Sequence, residues 1–198
     1  MPQDKTRLHQ QLGFVIEIDR LKQVLRRTVL TDRSRHENSA EHSWHLAVMA
    51  ILLEEYANES IDLGRVLRMV LVHDLVEIDA GDTFCYDSPA NDDKEERERR
   101  AADRLFGLLP PDQGAELRGL WEEFEARESA EARFAAALDR LQPMLHNYVT
   151  SGHSWRKHGI VSGQVLERNR PIEDGAPALW ELAKRFLGDA VERGYLAD

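Results

Sequence analysis

The stretch from residue 67 to residue 78 places an adjacent His73 and Asp74 between apolar residues on both sides. A helix with this pattern is buried on nearly every face, so the rest of the chain has to fold around it. Burying an imidazole and a carboxylate there costs several kcal/mol per charge unless a partner compensates. A divalent cation compensates both, because it binds an imidazole nitrogen and a carboxylate oxygen together. We therefore expect the functional site around His73 and Asp74.

Apolar residues recur at helical spacing along almost the whole chain, and no segment shows the alternation typical of a strand. We find neither an internal repeat nor a linker. The sequence therefore predicts an all-α fold, a single domain of roughly seven or eight helices. Caps and breakers place the first four helices over residues 5–27, over 42–57, from Ser60 or Asp62 to 78, and over 92–108. The next two begin at Pro111 and at Ser129, the second of them with a bend at Pro143, and the last two cover residues 159–168 and 176–196.

Composition restricts the classes of binding partner and the cellular compartments that we expect. The net charge of −10 argues against a general nucleic-acid binder, which presents a basic field to phosphates. No apolar run is long enough to cross a bilayer, and the N-terminus lacks the apolar core of a secretory signal. The one cysteine, Cys85, cannot form an internal disulfide, which indicates a reducing cytoplasm and, for Cys85 itself, a passive loop thiol.

A second group of candidate residues lies before the predicted helix over 42–57 and in its first turn. His42 and His45 are three residues apart and share a helix face, where a metal ligand or an ordinary core histidine is expected. Four arginines lie between residues 26 and 35, shortly before them, in an otherwise acidic chain: Arg26, Arg27, Arg33 and Arg35. Arginine binds phosphate oxygens in a bidentate manner, so they indicate phosphate binding, with solvated surface charge as the alternative.

Two carboxylates follow the His-Asp pair. Glu77 lies four residues after His73 and projects from the same helix face. Asp82 comes directly after Gly81, which we expect to end the helix. Carboxylates placed one turn from a metal can move protons or orient water, whereas Asp79 is expected to be exposed.

Asp139 is the last candidate, and it lies among small and apolar residues of a predicted helix. A carboxylate without a partner is unexpected there. An ion pair with Arg133 or Arg140 on the helix surface is the alternative to a role in the site.

Taken together, these motifs resemble the HD-domain metal-dependent phosphohydrolases, in particular the branch that contains the 5′-deoxynucleotidases. The resemblance is carried by His42, His73-Asp74 and Asp139 on separate helices, and by the segments 20–26, 37–43 and 73–82. It covers about residues 8–150. It implies one HD domain over residues 1–198, with the C-terminal helices over 159–196 packed on that core.

The resemblance also implies roles for individual residues. The ligands of one divalent metal ion would be His42, His73, Asp74 and Asp139. Glu77 and Asp82 match the catalytic carboxylates of the branch, and Arg26 matches its phosphate-contacting arginine. Arg27, assigned to substrate binding, stands where bacterial deoxynucleotidases carry an aromatic residue that packs near the sugar, so the resemblance does not extend to selectivity for deoxyribose.

This set of ligands restricts the choice of metal ion and the type of reaction. Two imidazoles and two carboxylates suit Mn²⁺, Co²⁺, Fe²⁺ or Mg²⁺ better than Ca²⁺. The expected reaction converts a nucleoside monophosphate and water into a nucleoside and phosphate. Three further histidines do not match the second-metal positions of other HD branches: His146, His153 and His158.

Two other functions remain open at this point. The same scaffold can hydrolyse another phosphate ester, a nucleoside triphosphate or a cyclic dinucleotide. A helical interaction module with a closed structural metal site, or with no metal, is the non-catalytic alternative.

Related proteins of this branch look like homodimers, so a second copy of the chain is an expected partner. Two apolar sets can supply the interface or simply form core: Leu117, Leu120, Trp121 and Phe124 in one, Trp180 and Phe186 in the other.

Overall fold

The computed structural model of this protein describes residues 2–83, 86 and 93–198; Cys85, on which the predicted compartment depends, lies outside them. The helices are α1 (Pro2–Glu17), α2 (Ser39–Leu53), α3 (Leu63–Val72), α4 (Glu77–Ala80), α5 (Lys94–Phe106), α6 (Pro111–Ala126), α7 (Ala130–Val149), α8 (His153–His158), α9 (Ser162–Asn169), α10 (Ile172–Gly175) and α11 (Pro177–Glu192). The 3₁₀ helices are Ile18–Gln23 and Glu54–Tyr56, and the strands are β1 (Leu25–Val29) and β2 (His36–Asn38).

The predicted all-α class is confirmed. Several boundaries also follow the predicted caps. Asp62 caps α3, Pro111 is the first residue of α6, and the Ser129 hydroxyl accepts a hydrogen bond from the Ala132 amide at the start of α7. Over the described parts of the chain, we find no helix that combines the length and the apolar character needed to cross a membrane.

The prediction of one helix over residues 5–27 was wrong. Helix α1 ends at Glu17, a 3₁₀ helix follows, and residues 25–29 form β1, which pairs with β2 in an antiparallel sheet. Strands of five and three residues are too short to show a clear alternation, and the helical periodicity came in part from apolar residues that are exposed, such as Val15 and Ile16. Arg26 and Arg27 consequently lie on a strand.

The helix predicted from Asp62 to residue 78 is divided in two. Helix α3 ends at Val72, and the backbone then tightens through i→i+3 hydrogen bonds, including Leu75 N to Val72 O and Glu77 N to Asp74 O, both 3.0 Å. Helix α4 ends at Gly81, as predicted, where a φ of +75° favours glycine. His73 and Asp74 therefore lie in a tight turn between two helices rather than inside one.

Other boundaries shift by a few residues. Helix α2 begins at Ser39 rather than at residue 42, because Asn38 and Glu41 form a capping box. The C-terminal region holds four helices, α8 to α11, where two were predicted, and residue 92 of the predicted fourth helix lies outside the described residues.

Helix α7 is the centre of the larger apolar core. Its residues 134–138 are at most 2% exposed, and it contacts α2, α3, α6, α10 and α11. A second core lies on the other side of α3, where Val72 and Leu75 pack with α5 and α6. The turn that carries His73 and Asp74 therefore lies where the two cores meet.

The residues predicted as a possible dimer interface belong to this interior. Leu120, Trp121, Phe124 and Trp180 are at most 7% exposed, and Leu117 and Phe186 are partly buried against the same core. The apolar stripes of α6 and α11 face inward, so core packing, the alternative interpretation, explains them.

Candidate metal centre

Three separate parts of the fold bring four predicted ligands together. His42 comes from α2, His73 and Asp74 from the turn after α3, and Asp139 from the central helix α7. His42 Nε2 lies 2.9 Å from Asp139 Oδ1, and His73 Nε2 lies 3.0 Å from Asp74 Oδ1. His73 Nε2 is also 3.8 Å from Asp139 Oδ1. Residues far apart in sequence thus place two imidazole nitrogens and two carboxylates around one point.

The ring of His42 is completely buried, and both of its nitrogens face oxygen atoms. Nε2 faces Asp139 Oδ1, and Nδ1 lies 3.2 Å from Gln142 Oε1. Burial of the ring, followed by the positive charge of Arg26, lowers the pKa of His42 to about 4, so the ring is neutral near pH 7. A neutral imidazole carries one hydrogen and cannot donate to both oxygens.

His73 presents a similar arrangement. Its Nδ1 lies 2.9 Å from the Val70 carbonyl oxygen, to which it donates, and its Nε2 is buried without a hydrogen-bond partner although Asp74 is near. Burial lowers the pKa of His73, but the negative charges of Asp74 and Asp139 outweigh this effect and raise that pKa to about 9. The two carboxylates therefore favour a positive charge at this nitrogen, either a proton or a metal ion.

The donor set fits a divalent cation. In an octahedral site with metal–ligand bonds of about 2.1 Å, neighbouring ligand atoms lie about 3.0 Å apart. The distances of 2.9 and 3.0 Å from His42 Nε2 to Asp139 and from His73 Nε2 to Asp74 match that spacing. Two imidazoles with two carboxylates form a mixed nitrogen and oxygen set of the kind that binds first-row transition metals.

Arg26 reaches the same point from β1. Its Nη1 donates to Asp74 Oδ2 at 2.8 Å, and its Nη2 lies 3.9 Å from Asp139 Oδ1. Its Nε is buried without a hydrogen-bond partner and lies 3.8 Å from Glu37 Oε2. Burial opposes the charged form, but Asp74 and then Glu77 outweigh burial and raise the pKa of Arg26, which stays charged. One buried guanidinium thus lies beside the candidate ligands.

Glu77 and Asp82 line the cleft that opens onto these residues. Ser39 Oγ donates to Glu77 Oε2 at 2.6 Å. Burial, followed by the charge of Asp74, raises the pKa of Glu77 well above its usual value. Burial also raises the pKa of Asp82, while Arg26 opposes that shift. The cleft therefore holds two carboxyl groups that bind protons more readily than ordinary carboxylates.

Several candidates from the sequence lie elsewhere. Arg35 pairs with Glu41 at the surface, and Arg33 donates to Ser151. His45 contacts Gln142 instead of the four ligands. Asp79 is exposed, as predicted. Arg27, in contrast, lines the cleft, and its carbonyl oxygen accepts a hydrogen bond from the Ser154 hydroxyl at 2.9 Å.

The sequence analysis missed two polar residues behind His42. Glu37 and Gln142 are each 1% exposed, and Gln142 Nε2 donates to Glu37 Oε1 at 2.6 Å. Glu37 lies in a segment that resembles the family but was given no role. Gln142 follows Asp139 by three residues on α7, so a polar residue on the same face was the signal available.

The HD domain family matches residues 18–180, a span that contains every candidate site residue. The chain belongs to this family. The HD domain of this protein is also similar to a solved structure, the crystal structure of a predicted metal-dependent phosphohydrolase from Magnetospirillum magnetotacticum MS-1. The two chains are 59% identical and superpose with a TM-score of 0.92 over 98% of this chain and 100% of that chain.

Curated relatives of this HD domain include the 5′-deoxynucleotidase HDDC2 of Bos taurus and of Homo sapiens. The bovine protein is 36% identical over 135 residues, which are 68% of this chain, and the human protein is 35% identical over the same length. The chain spans 64% and 65% of the length of these two relatives.

Proposed function

We propose that this HD domain is a metal-dependent phosphohydrolase that releases phosphate from nucleoside or deoxynucleoside monophosphates. The observation that carries this proposal is the convergence of two imidazoles, two carboxylates and one buried guanidinium beside a cleft, which Arg26, His73, Asp74 and Asp139 line. The similarity to 5′-deoxynucleotidases and to a metal-dependent phosphohydrolase supports the same reaction class.

The proposed ligands of one divalent ion are His42, His73, Asp74 and Asp139. Mn²⁺, Co²⁺, Fe²⁺ and Mg²⁺ all suit this set. When bound, such an ion polarises a phosphoryl oxygen and makes water more acidic. With only these four protein ligands, the site would keep room for a phosphate oxygen and water beside a bound ion, unlike a closed structural site.

Arg26 is the proposed phosphate-binding residue. In the free protein it donates to Asp74 through Nη1, while Nε has no hydrogen-bond partner. A guanidinium has five donor hydrogens in a planar fork, so it can hold Asp74 and a non-bridging phosphate oxygen together. Its charge then offsets the negative charge that builds up during phosphoryl transfer. Arg27 at the cleft edge is the proposed second contact to the substrate.

Glu77 is the proposed proton donor to the sugar oxygen that leaves. Burial and the charge of Asp74 raise its pKa and so favour the protonated carboxyl group, and the Ser39 hydroxyl occupies Oε2, which leaves Oε1 for that proton. Asp82 lines the same cleft and is the proposed residue that orients the attacking water.

The test is a panel of phosphate esters. Purified protein with added Mn²⁺ or Co²⁺ should release inorganic phosphate from several ribonucleoside and deoxyribonucleoside 5′-monophosphates. Pyrophosphate from triphosphates or a linear dinucleotide from cyclic dinucleotides would instead identify one of the alternative reactions. No turnover of any monophosphate would contradict the proposal.

Metal affinity should depend on pH in a defined direction. His73 has a pKa of about 9, so at lower pH a proton competes with the metal ion for its Nε2. His42, with a pKa of about 4, stays neutral over the same pH range. Raising the pH from about 6 to 8 should therefore tighten Mn²⁺ binding by up to about tenfold per unit. Titration calorimetry in buffers of different ionisation enthalpy should show about one proton released per ion. An affinity independent of pH would contradict these assignments.

We also propose a homodimer, with the exposed face of α2 as its interface. Trp44, Ile51 and Leu52 are 65%, 56% and 67% exposed, and they lie on one side of the helix. Trp44→Glu combined with Leu52→Glu should convert a dimer to a monomer in light scattering. Val149→Glu, at an exposed apolar position on α7, should leave the mass unchanged. A wild-type monomer at micromolar concentration would contradict the proposal.

A reducing cytoplasm remains the predicted compartment. It depends on the single cysteine, which cannot form an internal disulfide. Fractionation of cells that express the protein would test it.

A further inference from the structure

Gln142 lies behind His42, on the side of the ring opposite to Asp139. It is 1% exposed and is held on α7, one turn after Asp139. Its two amide atoms have different partners. Oε1 lies 3.2 Å from His42 Nδ1, and Nε2 donates to Glu37 Oε1 at 2.6 Å. One side chain thus connects a candidate metal ligand to a buried carboxyl group.

The surroundings of Gln142 determine which amide atom is the nitrogen. Apart from Glu37, the Nε2 atom lies 3.2 Å from His146 Nε2 and 3.3 Å from His45 Nδ1. His146 donates through Nδ1 to the Val29 carbonyl oxygen at 3.2 Å, so its Nε2 is an acceptor when the ring is neutral. Glu37 Oε1 and His146 Nε2 are both acceptors, and only an NH₂ group, with its two hydrogens, satisfies both, which turns the amide oxygen towards His42.

The amide oxygen of Gln142 in turn favours one position for the hydrogen of His42. An oxygen can only accept, so the amide stabilises the neutral ring with its hydrogen on Nδ1, against the competing tautomer that donates from Nε2 to Asp139. In the favoured tautomer the lone pair is on Nε2, the nitrogen that faces Asp139. His73 is held in the same way by the Val70 carbonyl oxygen. Both imidazoles therefore have their Nδ1 atoms bound and their Nε2 atoms available.

We propose that Gln142 is a positioning residue that, anchored by Glu37, holds His42 in the tautomer able to bind a metal ion. This inference rests on the proposed metal site. Partners of metal-binding imidazoles are usually a carboxylate or a backbone carbonyl. Here the amide of Gln142 has that role, and the carboxyl group of Glu37 in turn accepts a hydrogen bond from this amide.

The same contacts explain a second group of possible ligands. Glu37, His45 and His146 each offer one ligand atom, and these atoms lie within 4.8 Å of one another. The amide nitrogen of Gln142 lies among all three, at 2.6–3.3 Å. This cluster therefore holds the amide of Gln142 rather than a second ion.

Two measurements test the proposal. In metal-free protein near pH 7, ¹⁵N NMR of labelled histidine should show a larger fraction of His42 protonated at Nδ1 in wild type than in Gln142→Met. Gln142→Met removes the acceptor at nearly constant volume, and it should weaken Co²⁺ binding by about 10- to 100-fold, as measured by visible absorption.

Controls separate this proposal from the metal site itself. Thr150→Val removes another buried side-chain hydrogen bond of the same region, from Thr150 Oγ1 to the His146 carbonyl oxygen at 2.7 Å, and should leave Co²⁺ affinity unchanged. If Gln142→Met binds Co²⁺ as wild type does, or if it leaves the fraction of His42 protonated at Nδ1 unchanged, the proposal is wrong. If His42→Ala also leaves Co²⁺ binding unchanged, the proposed metal site is wrong as well. If Gln142→Met does not fold, Gln142→Asn, whose amide is one methylene shorter, takes its place in both measurements.

Discussion

Asp139→Asn should reduce phosphate release by at least about 1,000-fold, because the variant loses the metal ion on which catalysis depends. Asp139 Oδ1 is 2.9 Å from His42 Nε2 and 3.8 Å from His73 Nε2, so this one carboxylate contacts both imidazoles. Asparagine has nearly the same shape but no charge, and its NH₂ group cannot bind a cation. Metal content after dialysis and the rate of phosphate release from a monophosphate should fall together.

Glu131→Gln is the matched control for this change. Glu131 lies on the same helix, α7, and its carboxylate accepts a hydrogen bond from the Asp62 amide at 2.9 Å, away from the cleft. This variant should keep both metal and activity. An Asp139→Asn protein that is folded, retains one ion per chain and turns over at the wild-type rate would remove Asp139 from the site.

Glu77→Gln should slow phosphate release by about 100- to 10,000-fold while metal binding is retained, because a general acid is lost but no ligand is. Glu77 is buried, accepts a hydrogen bond from Ser39, and has a pKa raised by burial and by Asp74. Glutamine can keep the bond from Ser39 but cannot give up a proton. The loss should appear in kcat rather than in KM, and it should shrink for substrates with a leaving group that needs no proton, such as a nitrophenolate.

Asp79→Asn provides the control for Glu77→Gln. Asp79 lies on the same short helix, α4, but it is exposed and pairs with Arg104. Its replacement should leave kcat unchanged. If Glu77→Gln retains wild-type kcat with both kinds of leaving group, Glu77 does not transfer the proton and Asp82 becomes the remaining candidate.

The fold was predictable where local chemistry decides the structure. Asp62, Pro111 and Ser129 mark the starts of three helices, and each does so through its own side chain or ring. The strand at residues 25–29 was not predictable from periodicity, because its partner and its packing against α7 and α8 determine its conformation. The division of the helix over 62–78 likewise depends on i→i+3 bonds that leave no sequence signal.

The residues of the candidate site were likewise predictable only in part. Spacing and resemblance selected His42, His73, Asp74 and Asp139, and the structure brings these side chains together. Spacing could not assign Gln142, because its importance comes from residues more than 90 positions away, His42 and Glu37. The two apolar sets that could form either a dimer interface or core were left undecided for a related reason. A stripe of large apolar residues, such as Trp121 and Phe124, has the same appearance in sequence whether it faces the core or a partner.

The most direct test of the central claim is an anomalous difference map from crystals soaked in Mn²⁺. The predicted result is one strong peak per chain, within about 2.5 Å of His42 Nε2 and His73 Nε2 and in contact with the carboxylates of Asp74 and Asp139. A map without a peak at this position, or with its strongest peak among Glu37, His45 and His146, would contradict the account.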